Sequence, residues 1–140
     1  MKKILIAYDG SDNGRKALLK GKEIAEKFLS DVMILYVVDD QLSRMYSHTQ
    51  KLPNTDTILQ KIGEQMLQDC LDYFKGYQGN VYPITKTGNP AAVIIETAEE
   101  KNVDLIFIGS RGLSRVQKIL MGSVSNKVAN YSNKSVVIVK

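Results

Sequence analysis

Leu105-Ile106-Phe107-Ile108 runs directly into Gly109-Ser110-Arg111-Gly112. A short apolar run without alternation marks a strand covered on both faces, as the strands of a parallel sheet are. Three more runs share that character: Ile4-Leu5-Ile6-Ala7, Val32-Met33-Ile34-Leu35-Tyr36-Val37-Val38 and Val136-Val137-Ile138-Val139. Asn80 to Lys86 is a fifth candidate. It alternates and contains Pro83, which lacks the N–H a central strand must donate, so it is expected at the sheet edge.

Helical patterns fill the intervals. Ala17, Gly21, Ile24 and Phe28 form one stripe, with Ser11 placed to cap it. Leu59, Ile62, Met66, Cys70 and Phe74 form a second. Ala91, Ile94, Ile95 and Ala98 form a third, introduced by Asn89 as cap and Pro90 at the first helical position. Leu120, Val124, Val128 and Tyr131 form a fourth, ended by Asn133. Strands alternating with helices predict an α/β fold: an open five-stranded parallel sheet with helices on both faces and right-handed crossovers. Such a sheet presents ligands at the carboxyl ends of its strands, where the strand order reverses. Residues 1–140 read as a single domain, with no repeat or linker. Asp39 to Thr57, which holds Ser43, Ser47, His48, Thr49, Pro53 and Asn54, reads as a long loop with room for a helical turn.

With 140 residues the chain can bury a core without disulfides or metal. The single cysteine, Cys70, excludes an intrachain disulfide and falls on an apolar stripe, which favours core packing. The net charge is +4, but lysines are scattered and no run of five like charges occurs. With three Phe, seven Tyr and no Trp, this argues against a nucleic-acid groove. The apolar start is interrupted by Asp9, unlike a signal peptide, and no run approaches the ~20 apolar residues of a membrane span. A cytoplasmic protein is the expectation.

The chemistry concentrates in Gly109-Ser110-Arg111-Gly112, nine further residues, then Gly122-Ser123. Glycines let backbone approach a ligand closely. A helix start offers unpaired N–H donors at the positive end of its dipole, suited to phosphate. Ser123 and Ser125 add hydroxyls; Arg111, and then Arg115 or Lys118, add charge. Each glycine alone is equally explained by a strand-to-helix turn or a helix start; the set of them points to phosphate. Neither standard phosphate loop is present, since Gly21-Lys22 lies inside a helical stripe and is followed by Glu23, and G-x-G-x-x-G does not occur. Asp9-Gly10-Ser11 ends the first strand, where Asp9 either accepts from ribose or adenine or simply makes the turn. Val37-Val38-Asp39 ends the second, where backbone can meet a base edge.

On these residues the chain resembles the universal stress proteins over its full length. The resemblance rests on Ile4 to Ser11, Leu35 to Asp39, Gly88-Asn89-Pro90, Asp104 to Gly112, Gly122-Ser123-Val124-Ser125 and Asn133 to Val139. The spacing G-x2-G-x9-G-[S/T] is similar to that of the ATP-binding members. The resemblance implies a Rossmann-like fold of the adenine nucleotide alpha hydrolase type, with the first and fourth strands adjacent. It implies that Ala7, Tyr8, Asp9 and Val37 flank adenosine, and that Ile108, Gly109, Arg111 and Gly112 wrap ribose and phosphates. Gly122, Ser123, Val124 and Ser125 then hold the phosphate chain. The implied ligand is ATP, ADP or AMP, often with Mg or Mn. The implied partner is a second copy paired through the last strand, a homodimer in a stress response. Tyr8 is larger than the family's usual residue before the aspartate, and a ring pointing inward would narrow the pocket.

No residue reads as catalytic. His48 is the only histidine, no His/Cys metal cluster occurs, and no triad or carboxylate pair assembles. A nucleotide-binding module therefore stands ahead of a slow ATP hydrolase or an ATP-dependent transferase, and ahead of a stress accessory without nucleotide.

Overall fold

The computed structural model describes residues 1–41, 44–45, 55–111 and 122–140. Five strands form one sheet: β1 (Lys3–Ala7), β2 (Asp31–Asp39), β3 (Val81–Gly88), β4 (Leu105–Gly109) and β5 (Ser135–Val139), in the order β3-β2-β1-β4-β5. Every pairing is parallel. Among the described residues, these helices lie between them: α1 (Asp12–Phe28), α2 (Thr55–Asp72), α3 (Pro90–Glu100) and α4 (Ser123–Tyr131). The chain steps outward from β1 to β3, then crosses to the other side of β1 for β4 and β5. The order therefore reverses between β1 and β4, and those two strands are neighbours, Ile6 opposite Phe107.

The apolar runs are continuous because both faces of the sheet are covered. Ile4, Ile6, Val32, Ile34, Leu105 and Phe107 face one core, closed by Ala17, Leu18 and Ala25 of α1, Leu67 and Cys70 of α2, and Phe74 just beyond α2. Leu5, Ala7, Met33, Leu35, Ile106 and Ile108 face the other, closed by Ala91, Ile94 and Ala98 of α3 and Val128 of α4. β3 is an edge strand, as Pro83 predicts, and pairs that residue with Ile34 of β2.

The local signals at helix starts hold. Ser11 Oγ accepts the Gly14 N–H at 3.0 Å, and Asn89 Oδ1 accepts the Ala92 N–H at 3.1 Å. Three of the described stripe residues are exposed. Phe28 and Tyr131 are the last residues of α1 and α4, where each helix runs out, and they are 57% and 74% exposed. Ile62 is exposed because the buried line of α2 is Gly63, Leu67 and Cys70, continued by Phe74 in the turn beyond it. The ring of Tyr36, from β2, occupies the space that a Gly63 side chain would need. In the loop after β2, Asp40, Gln41, Arg44 and Met45 are helical. Ser43, Ser47, His48, Thr49, Pro53 and Asn54 lie outside the described residues. Among the described residues no helix is long and apolar enough to cross a membrane.

Candidate functional site

Three segments meet at the carboxyl ends of β1 and β4. The first is the turn from β1 into α1. Tyr8 N–H still donates to Leu35 O at 2.9 Å, so the ladder to β2 runs one residue past the strand. Gly10 then takes φ +84°, a left-handed conformation that side chains resist. Asp9 Oδ1 accepts the Ser11 N–H at 2.9 Å and the Ser11 hydroxyl at 2.5 Å. The turn role of Asp9 is thus occupied through one oxygen, and among the described residues no hydrogen bond reaches Oδ2.

The second segment is the end of β4. Gly109 is wholly enclosed, and a Cβ there would stand 2.7 Å from the Asn13 carbonyl carbon. Its backbone φ is ordinary, so the glycine is required by close approach of α1 rather than by a strained turn. Ser110, 3% exposed, bonds in four directions. Its N–H donates to Val139 O of β5 at 2.8 Å, and its Oγ accepts from Asn13 Nδ2 at 3.1 Å. Its carbonyl accepts the Gly122 N–H at 2.5 Å and the Ser125 hydroxyl at 3.1 Å.

The third segment is the start of α4. Gly122 is its N-cap, with extended backbone (φ −67°, ψ 160°) open to any residue, so flexibility is not why glycine stands there. A Cβ would lie 3.2 Å from Ser110 O and 3.5 Å from Arg111 Cα. Without a side chain, Gly122 makes no capping bond, unlike Ser11 at α1 and Asn89 at α3. Asn126 donates the first helical bond, to Gly122 O, so the amides of Ser123, Val124 and Ser125 have no acceptor inside the helix. Ser123 is exposed, as is Arg111. Ser125 is 2% exposed, and its hydroxyl is taken by the carbonyls of Ser110 and Gly122. Its side chain therefore fastens the loop ends together. Gly112, Arg115, Lys118 and Leu120 lie outside the described residues.

Ala7, Val37, Ile108 and Val124 all belong to the core on the α3–α4 side. Tyr8 does not narrow that side. Its ring packs into the opposite core, beside Cys70. Burial, then the nearby Cys70, raises the Tyr8 hydroxyl pKa, against a lowering influence from Arg15. The Tyr36 hydroxyl is raised by its own burial and then by the charge of Asp9. Burial pushes the Cys70 thiol up to about 11, so it stays protonated at neutral pH and belongs to the core, as its stripe position suggested. Among the described residues no group of three or more His, Cys, Asp or Glu is placed to hold a metal.

The structure brings most of the residues named from the sequence to one sheet edge, where sequence reasoning gave no role to Asn13 and none of its own to Ser110. Neither belongs to a periodic pattern. The one available signal was an amide side chain two residues after the cap, pointing to no particular partner.

A sequence model of the universal stress protein family matches residues 1–140. The chain is 32% identical to universal stress protein YxiE of Bacillus subtilis, over 99% of this chain and 98% of that one. Its fold matches the solved structure of MJ0577, a universal stress protein of Methanocaldococcus jannaschii, with a TM-score of 0.84 at 27% identity over 99% and 95% of the two chains. A universal stress protein solved in complex with cAMP matches with a TM-score of 0.75 at 23% identity over 99% and 97%. A universal stress protein family member from Arabidopsis thaliana with AMP bound matches at 0.69 and 16% over 100% and 92%.

Proposed function

Because the chain belongs to the universal stress protein family, we propose that it binds ATP or a related adenine nucleotide at the switch point between β1 and β4. In this reading it serves as a stress-response binding module. The observation that carries it is the start of α4. Three backbone amides there lack helical acceptors, the cap has no side chain, and an exposed serine stands beside them. Oriented amides at the positive end of a helix dipole stabilise phosphate oxygens. Ala7, Val37 and Ile108 flank the adenine, with Asp9 Oδ2 facing the ribose hydroxyls. Gly109, Arg111 and Gly112 lie along the path from ribose to phosphate, and Gly122, Ser123 and Val124 hold the phosphate chain. Tyr8 contributes its backbone, since its ring serves the other core. The neighbours solved with cAMP and AMP support an adenosine bearing phosphate as the shared ligand.

A divalent cation, Mg or Mn, fits this edge only as a passenger of the phosphates. Mg commonly takes one or two carboxylates plus substrate phosphates and keeps several waters. Asp9 is the carboxylate at hand, and no resident cluster competes with it among the described residues.

Nucleotide binding should raise thermal stability by mass action. At 100 times the dissociation constant the gain is about 2.7 kcal/mol. A melting temperature unmoved by millimolar ATP, with no nucleotide released from the purified protein by acid and detected by mass spectrometry, would leave this reading without support.

We further propose a homodimer paired through β5. That strand is an edge of the sheet, and Val136, Val137, Ile138 and Val139 are only partly buried. An apolar edge with unpaired backbone groups invites pairing. Sedimentation equilibrium is expected to report a dimer; a monomer at every concentration argues against it.

A further inference from the structure

We propose that Asn13 is a positioning residue for the phosphate half of the site, acting through Ser110 without touching the ligand. The inference rests on the nucleotide-binding reading above and assigns a role to a residue outside the glycine motif. Asn13 lies in the first turn of α1, on the β1 side of the switch point; Ser110 follows β4 on the other. Their bond, Asn13 Nδ2 to Ser110 Oγ at 3.1 Å, ties these two segments side chain to side chain.

Ser110 relays that tie to the phosphate amides. Its carbonyl receives both the Gly122 N–H and the Ser125 hydroxyl, which brings the first residue after β4 against the N-cap of α4. Its own N–H is held by Val139 O, so the peptide before it is anchored to β5. Four bonds therefore hold Ser110, two of them on its carbonyl. The Asn13 bond is the one that comes from the adenosine side. Gly109 makes this contact feasible: with no side chain it lets the Asn13 backbone come close enough for the amide to reach Ser110. The geometry links the direction of α4's free amides to the placement of α1.

The test is a double-mutant cycle. ATP and adenosine affinities are measured for the wild type, Asn13→Ala, Ser110→Ala and the double variant, using displacement of a fluorescent ATP analogue. Losing one hydrogen bond that orients the amides should weaken ATP about three- to tenfold. Adenosine, which has no phosphate to misplace, should change less than about twofold. The double variant should be no worse than Ser110→Ala, because both act through one bond. Adenosine binding also certifies that each variant is folded. Equal losses for ATP and adenosine, or losses that add, would overturn the positioning role alone. A wild type that binds neither ligand would overturn the nucleotide reading, and this inference with it.

Discussion

Gly122→Val is expected to weaken ATP binding at least about 100-fold, about 2.7 kcal/mol, while the protein melts close to the wild-type temperature. Gly122 has extended backbone that valine adopts readily, so the backbone itself resists little. The difficulty is space. The new Cβ would start 3.2 Å from Ser110 O and 3.5 Å from Arg111 Cα, and the two methyl groups extend further. The bond from Gly122 N–H to Ser110 O would have to lengthen, and the amides that follow would turn with it. Hydrogen bonds to charged groups are worth roughly 1.5–3 kcal/mol each, so misdirecting even two of them accounts for the loss. Stability changes little because Gly122 is only partly buried and lies outside both cores. Calorimetry that returns wild-type affinity for this variant would exclude the start of α4 as the phosphate site.

Gly109→Ala should behave differently and cost about 2–3 kcal/mol of folding stability, the upper part of the usual range for overpacking a tight core. The added methyl would meet the Asn13 carbonyl carbon at 2.7 Å, its Cβ at 2.9 Å and its oxygen at 2.9 Å. These are mostly backbone atoms at the start of a helix, so relief requires α1 to lift from the sheet. That helix supplies Ala17, Leu18 and Ala25 to one core and cannot lift without loosening it. A stability loss of this size should lower the melting temperature by several degrees. Nucleotide affinity should fall too, since the Asn13–Ser110 bond depends on the same approach. Denaturant unfolding that finds Gly109→Ala within about 0.5 kcal/mol of wild type would show that the contact relaxes at no cost.

These two glycines show what a sequence displays and what it hides. Both stand out in the spacing that begins at the end of β4, and both suggest backbone freedom. Neither has positive φ; Gly10, in the turn before α1, does. The reason for glycine at 109 and 122 is the proximity of Asn13 and Ser110, partners distant in sequence that no local pattern announces. The strands were legible because a run buried on both faces is apolar at every position, and Ser11 and Asn89-Pro90 were legible because capping is local. Ile62 was misread for the converse reason. The true line of α2 passes through Gly63, whose missing side chain is filled by Tyr36 from another element. Tyr8 was ambiguous because strand alternation alone cannot say where a residue just past the strand will turn its ring. It turns toward Cys70, into the core opposite the one that Ala7, Val37 and Ile108 join.

The division of labour at the site follows from the same contacts. Asp9 spends one oxygen on the α1 cap, and Ser125 spends its hydroxyl on closing the loop. Ser123 remains the exposed hydroxyl among the two serines. A Ser123 substitution should therefore act on ligand, and a Ser125 substitution first on the loop.

The most direct examination of the phosphate site is amide chemical-shift mapping of the isotope-labelled protein titrated with ATP. The largest changes are expected at the backbone N–H groups of Ser123, Val124 and Ser125, with Gly109 and Ser110 next, and adenosine should leave the first three nearly unmoved. If ATP instead perturbs the open groove at the other end of the sheet, lined by Glu26, Leu29, Lys75 and Tyr77, or perturbs α4 no more than adenosine does, the phosphates are held elsewhere.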